Sequence, residues 1–207
     1  MIDRTFTLPT NDRRRTRDIT KADLIAATRR LLQQGTSVAN LSVDKIVAEA
    51  GMARATYYLH FRNKFELVAG LMDDVVAWRT EIGAEVLEDP ELSRESLDAI
   101  LATIVGSWAA DHAVLSAIIE LAEYDPRMAE RWRAAIGEVA AEAARHFHAR
   151  WENQPGAPPD IDTVAELLSW MFERACHQML VDPARAETVA AGMSEIIWRV
   201  LTYPAGR

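Results

Sequence analysis

Residues 42–67 read SVDKIVAEAGMARATYYLHFRNKFEL, and the punctuation of this stretch decides the fold. Ser42 can accept the first free N–H groups of a helix. Val43, Ile46, Val47 and Ala50 follow at helical spacing, and Gly51 closes the run. A glycine between two short helices permits the positive φ of a tight turn and sets them at a steep angle. Residues 53–60, ARATYYLH, predict the second helix. Burial needs few of its residues, so it presents Arg54, Thr56, Tyr57, Tyr58 and His60, a mixture of hydrogen-bond donors and flat rings. Asn63 and Glu66 then form a capping-box-like start for a further helix through Leu67, Leu71, Val75 and Trp78. A short helix with such a face fits the major groove of duplex DNA, roughly 12 Å wide, where its early residues reach base edges.

Upstream, Thr20 reads as an N-cap, with Leu24, Thr28, Leu31 and Leu32 at helical spacing up to a stop at Gly35. Residues 1–18 are polar, unpatterned and basic, which predicts a flexible arm. Its run Arg13-Arg14-Arg15-Thr16-Arg17 suits phosphates or a minor groove, the plainer alternative being a solvated charge run. The net charge of −8 hides an asymmetry. Residues 1–64 hold 12 Lys+Arg against 6 Asp+Glu, and the rest of the chain holds 11 against 25. A small polyanion-binding module joined to an acidic body gives that pattern.

With these residues in register, the segment resembles the TetR/AcrR family of one-component bacterial regulators. The match lies at Ser42-Val43, Ile46, Ala50-Gly51-Met52, Tyr58, His60-Phe61, Lys64 and Leu67, within residues 20–70. Two positions depart from the family. Ala53 replaces a usual Ser, so the second helix loses a side-chain cap, and Val47 replaces a usual Ala. The resemblance implies that Arg54 reads bases, since arginine binds guanine O6 and N7 with two hydrogen bonds. Ala55 and Tyr57 are expected to touch bases or thymine methyls, Tyr57 being equally readable as a core ring. Thr56, Tyr58, His60 and Lys64 are expected on phosphates, with Ser42 adding a contact at its helix start. For His60 the alternative is a plain surface residue, and Phe61 reads as core.

The remaining chain is also helical in pattern, rich in Ala, Leu, Glu and Arg, with no internal repeat. Helices are expected near 93–110, 112–123, 126–152, 161–182 and 183–202. Asp125-Pro126 and Asp182-Pro183 each pair an N-cap with proline at the first helical position, and residues 153–160 form a loop. The expected fold is all-α, with about nine helices: an arm (1–18), a three-helix DNA-binding domain (19–66) and a helical-bundle body for ligand and dimerisation (67–207). One such reading head covers few base pairs, so a twofold homodimer on a palindromic operator is expected. Helices 161–182 and 183–202 carry apolar stripes on more than one face. The resemblance implies that they pair with their mates in a four-helix bundle.

Five of the six tryptophans lie in the last 100 residues. The C-terminal half loosely resembles the ethionamide-resistance-regulator branch of the family through Trp132, the Glu173-Arg174 step and Trp198. That likeness implies a long apolar channel lined by Leu101, Val105, Trp132, Ile136, Val139, Ser169, Phe172 and Trp198, holding a small apolar effector. Ser169 and Phe172 stand where that branch has amides.

Other chemistry is thinly represented. His146 and His148 fall on different helix faces, which is poor for one metal, and His112 and His177 stand alone in sequence. Cys176 and His177 point apart on a helix, no third group completes a nucleophilic set, and no glycine-rich phosphate loop occurs. Neither catalysis nor a cofactor is expected. One cysteine excludes an internal disulfide. No apolar run is long enough for a membrane span and no signal segment opens the chain, so a cytoplasmic protein is expected. The sequence reading is a repressor released from its operator by a small apolar ligand. The alternatives are a ligand-independent architectural DNA-binding protein and a helical enzyme that uses the apolar body.

Overall fold

A computed structural model describes the backbone of residues 10–73, 75, 93–151 and 160–202, with side chains from Thr20 onward. Every regular element among the described residues is helical. Two compact units divide the chain, Met1–Leu71 and Met72–Arg207.

In the first unit, α1 spans Thr10–Gln33, α2 Val43–Ala50 and α3 Arg54–His60, and α4 covers residues 64–73, of which Met72 and Asp73 fall in the second unit. The long α1 corrects one expectation. Residues 10–18 continue the helix instead of forming an arm, and Thr20 lies inside it. Arginine is a good helix former, and no Pro or Gly interrupts Thr10–Gln33, so the turn patterned by Leu24 and Leu32 propagates backwards. Residues 1–9 lie outside the described residues, as do Trp78 and the loop expected at 153–159.

The caps behave as the sequence predicts. Ser42 Oγ accepts the Lys45 N–H at 3.3 Å, and Gly51 takes φ 67°, the left-handed conformation that ends α2. Ala53 caps α3 with no side-chain bond. Asn63 Oδ1 accepts the Glu66 N–H at 3.0 Å, while Glu66 reaches back one residue further than a capping box would, to the Arg62 N–H at 2.8 Å. Leu24, Ala27, Leu32, Val38, Ile46, Tyr57, Phe61, Leu67 and Leu71 form the core of this unit. Thr28 is buried too, its hydroxyl donating to the Leu24 carbonyl at 2.8 Å. At Gly70 a Cβ would lie 3.1 Å from Ile25 Cδ1, a tight contact that glycine avoids where α4 faces α1.

The second unit holds α5 (Arg94–Ala110), α6 (His112–Tyr124), α7 (Pro126–Trp151), α8 (Ile161–Met179) and α9 (Ala186–Leu201). Helix α5 packs on α9, and α7 lies between α6 and α8. Asp125 Oδ1 accepts the Arg127 N–H at 2.9 Å at the start of α7. Helix α8 stops at Met179, three residues short of the expected end. The residue before a proline is pushed out of the α region, and Asp182 is extended at φ −102°, ψ 105°. One 3₁₀ turn, Pro183–Arg185, then leads into α9. No single helix among the described residues is long and apolar enough to cross a membrane.

Candidate nucleic-acid interface

Helix α3 is seven residues long, and its inward side is aromatic. Tyr57 is fully buried, its ring 5.7 Å from that of Phe61 and edge-on to Tyr58 at 5.3 Å. Of the two readings of Tyr57, its burial favours the core ring, which anchors α3. Its hydroxyl has no hydrogen-bond partner among the described residues, and burial, ahead of the nearby Tyr58 and Glu66, pushes the phenol up to about 12. Anchored at Tyr57 and Phe61, α3 turns Arg54, Ala55, Tyr58 and Leu59 outward.

Arg54 bridges two helices. Nη1 donates to Asp44 Oδ1 on α2 at 2.6 Å, and Nη2 to the Tyr58 hydroxyl at 3.4 Å. The guanidinium carbon lies 5.9 Å from the centre of the Tyr58 ring. Those bonds, Tyr58 first and Asp44 next, hold the guanidinium above its ordinary range. Thr56 and His60 are half-buried, and Ser42 is exposed at the start of α2. Lys64 is half-buried, and its ammonium donates to the Val38 carbonyl at 2.6 Å, so one of its three N–H groups fixes the loop before α2. Arg30 Nε donates to Glu49 at 2.7 Å and ties α1 to α2. Together α1 and α2 pack against α3 and leave its outward side at the surface. Sequence reading missed Asp44, whose pairing spans ten residues, and Leu59, whose side chain is 67% exposed beside Ala55 one turn earlier.

In the second unit the eight residues expected around an apolar channel come from four helices. Leu101 and Val105 of α5 and Trp132 and Ile136 of α7 are buried. Val139, Ser169, Phe172 and Trp198 are half-buried. Trp108 of α5 meets Trp132 edge-on at 6.5 Å, which joins α5 to α7. Ser169 Oγ donates to the Ala165 carbonyl of its own helix at 2.9 Å. The unforeseen polar group is Glu173, 2% exposed, with Oε2 lacking a hydrogen-bond partner among the described residues and Arg174 Nε at 4.0 Å. Burial raises its pKa, against the opposing pull of Arg174 and of the Trp132 indole. The fold also stacks His112 on His177 at 6.1 Å, although they are 65 residues apart, with His112 Nε2 3.0 Å from the His177 carbonyl oxygen. His146 and His148 turn to different carboxylates, Glu142 and Asp162.

Residues 24–71 match the sequence profile of the tetR family of bacterial regulatory proteins. Over 170 residues the chain is 26% identical to the HTH-type transcriptional regulator EthR of Mycolicibacterium smegmatis, a stretch covering 80% of this chain and 76% of that protein. The fold is similar to that of NalD, described as the secondary repressor of the MexAB-OprM multidrug efflux pump in Pseudomonas aeruginosa. There the TM-score is 0.69 at 20% identity, covering 88% of this chain and 95% of that one. A TetR-family regulator from Pectobacterium atrosepticum superposes with a TM-score of 0.69 at 19% identity, covering 92% and 98% of the two chains.

Proposed function

Because this chain belongs to the TetR family of transcriptional regulators, we propose that it is a repressor which binds a palindromic operator as a homodimer and is released by a small, largely apolar effector. The observation that carries the reading is the geometry of α3. Its buried Tyr57 and Phe61 fix the helix, and Arg54, Ala55 and Tyr58 project from the opposite side. Arg54 reads a guanine, Ala55 packs on a base edge, and Ser42, Thr56, Tyr58, His60 and Lys64 bind phosphates, which set register without reading sequence. Lys64 keeps two N–H donors for this.

Pairing through α8 and α9 is supported by what those helices leave uncovered. Leu167 is 64% exposed and Ile196 43%, while Leu168, Met171, Ile197 and Val200 are half-buried. An apolar, self-complementary face suits a twofold interface. The effector site is the volume around Trp108, Trp132, Phe172 and Trp198. Glu173 supplies the polar anchor there that Ser169, bonded to its own helix, does not. Within this second unit, Asp73 is held by Arg131 at 2.5 Å, next in sequence to Trp132. Binding of the effector in the second unit changes the spacing of the two reading helices. That spacing must be roughly 34–36 Å to meet successive major grooves. The effector shifts it only by binding one arrangement better than the other.

The test is selection from a random-sequence duplex library with the purified full chain. Enrichment of an inverted repeat, bound at two chains per site, is the expected result. Recovery of no preferred sequence at low ionic strength sinks the reading and leaves the architectural alternative.

A further inference from the structure

We propose that Asp44 is a specificity-determining positioning residue: its carboxylate, carried by α2, holds the Arg54 guanidinium of α3 in the orientation that reads a guanine edge and repels phosphate from the same spot. The inference rests on the base-reading role given to Arg54 above. Asp44 occupies the second residue of α2, and its Oδ1 lies 2.6 Å from Arg54 Nη1. Tyr58 holds the other nitrogen at 3.4 Å and lays its ring alongside at 5.9 Å. The guanidinium is thus held between two side chains, Asp44 of α2 and Tyr58 of α3. Both partners of the ion pair are open to solvent, with side chains 58% and 71% exposed, so the clamp sits at the surface that duplex DNA would meet.

The fold does not require this carboxylate. An ion pair so exposed contributes little to stability. The N-terminus of α2 already has Ser42 as its cap. A negative charge beside the reading arginine also weakens attraction to any phosphate backbone, so its effect on DNA binding in general is adverse. The gain is selectivity. An unpaired arginine on a surface helix swings freely and bonds whichever phosphate comes near. A clamped one has two of its five N–H groups engaged and three left, enough for the two bonds that guanine O6 and N7 accept. The neutral guanine edge approaches Asp44 without penalty, whereas a phosphate meets like charge. Discrimination built on a repulsive element of this kind lowers affinity for wrong partners more than for the right one.

The experiment uses the full-length protein and the operator recovered by selection. Affinity is measured by fluorescence anisotropy at two salt concentrations for three duplexes: the operator, operators in which single guanines are replaced by 7-deazaguanine, and an unrelated sequence. Wild type is expected to lose about tenfold at one guanine per half-site when N7 is removed. Asp44→Ala and Asp44→Asn should bind the unrelated duplex several-fold more tightly and shrink the 7-deazaguanine effect to about twofold, with Asp44→Glu restoring part of it. Thermal melts should be unchanged in all three variants. A 7-deazaguanine effect left intact in Asp44→Ala, or an equal loss of affinity for every duplex, overturns the proposal. Arg54→Ala separates the two claims. If it keeps the guanine dependence, the base-reading role falls and Asp44 falls with it. If Arg54→Ala abolishes the dependence while Asp44→Ala preserves it, only the role of Asp44 is lost.

Discussion

Tyr57 shows how one side chain can carry two readings until packing selects between them. Its sequence neighbours, Thr56 and Tyr58, are hydrogen-bonding groups on a short helix, and nothing local marks Tyr57 as different. Packed against Phe61, it is buried to the hydroxyl, which has no partner among the described residues. An unpartnered buried hydroxyl costs about 1–3 kcal/mol. Tyr57→Phe should therefore raise unfolding stability by about 1 kcal/mol in a denaturant melt without weakening operator binding; a loss of stability would mean that the hydroxyl is satisfied. Glu173 gives a second test, by pH. Burial raises its folded-state pKa above the ordinary 4.5, so the folded protein holds this proton more tightly than the unfolded chain does. Stability from this group is full below about 4.5 and is lost as pH rises through the raised value. Glu173→Gln should flatten that fall and gain melting temperature relative to wild type at neutral pH. Parallel stability curves for the two proteins from pH 4 to 8 would refute the assignment. His177, lowered chiefly by burial, works in the opposite sense: below its ordinary 6.5 the unfolded chain takes up the proton more readily, so stability falls with acidity.

At the level of elements, α3 lacks the side-chain cap that α2 and α4 have. Ser42 and Asn63 cap α2 and α4, while Ala53 leaves the first N–H groups of α3 without a side-chain acceptor. Its backbone at φ −78°, ψ 147° already has the conformation of a capping residue. Ala53→Ser should add about 1 kcal/mol of stability, read by chemical denaturation and by slower amide exchange at Tyr57 and Tyr58. An unchanged exchange rate would show that Phe61 and Tyr57 alone fix the helix. The first helix carries a different lesson. Its apolar spacing begins only at Leu24, and the arginine run before Thr20 has no hydrophobic period to register. Helix propagation needs only good helix formers and no breaker, so α1 extends back to Thr10.

At the scale of the molecule, charge divides along the chain, with a basic N-terminal segment followed by an acidic remainder. The second unit keeps its buried apolar residues along the α5–α9 and α7–α8 contacts and leaves Leu167 and Ile196 outward. If these faces join two chains, Leu167→Glu with Ile196→Glu should convert a dimer to a monomer in sedimentation velocity. Operator affinity should then drop by orders of magnitude, since one reading helix covers only a half-site. A double variant that remains dimeric would move the interface elsewhere. Because both residues are exposed within the chain, the monomer should keep its helical content.

Short-range chemistry decided what was legible in advance. The cap at Ser42, the positive-φ glycine at 51 and the register of α2 and α3 each depend on residues within a few positions of one another, so the sequence by itself determined the all-α reading head and the run of helices behind it. Tertiary packing decided the rest, because it brings together groups that share no local pattern. Asp44 reached Arg54, Lys64 turned to the Val38 carbonyl, Tyr57 went inside, and Glu173 was enclosed beside Trp132. Whether a polar side chain faces water, an ion pair or a core depends on what the other helices place against it, and no periodicity along one helix encodes that.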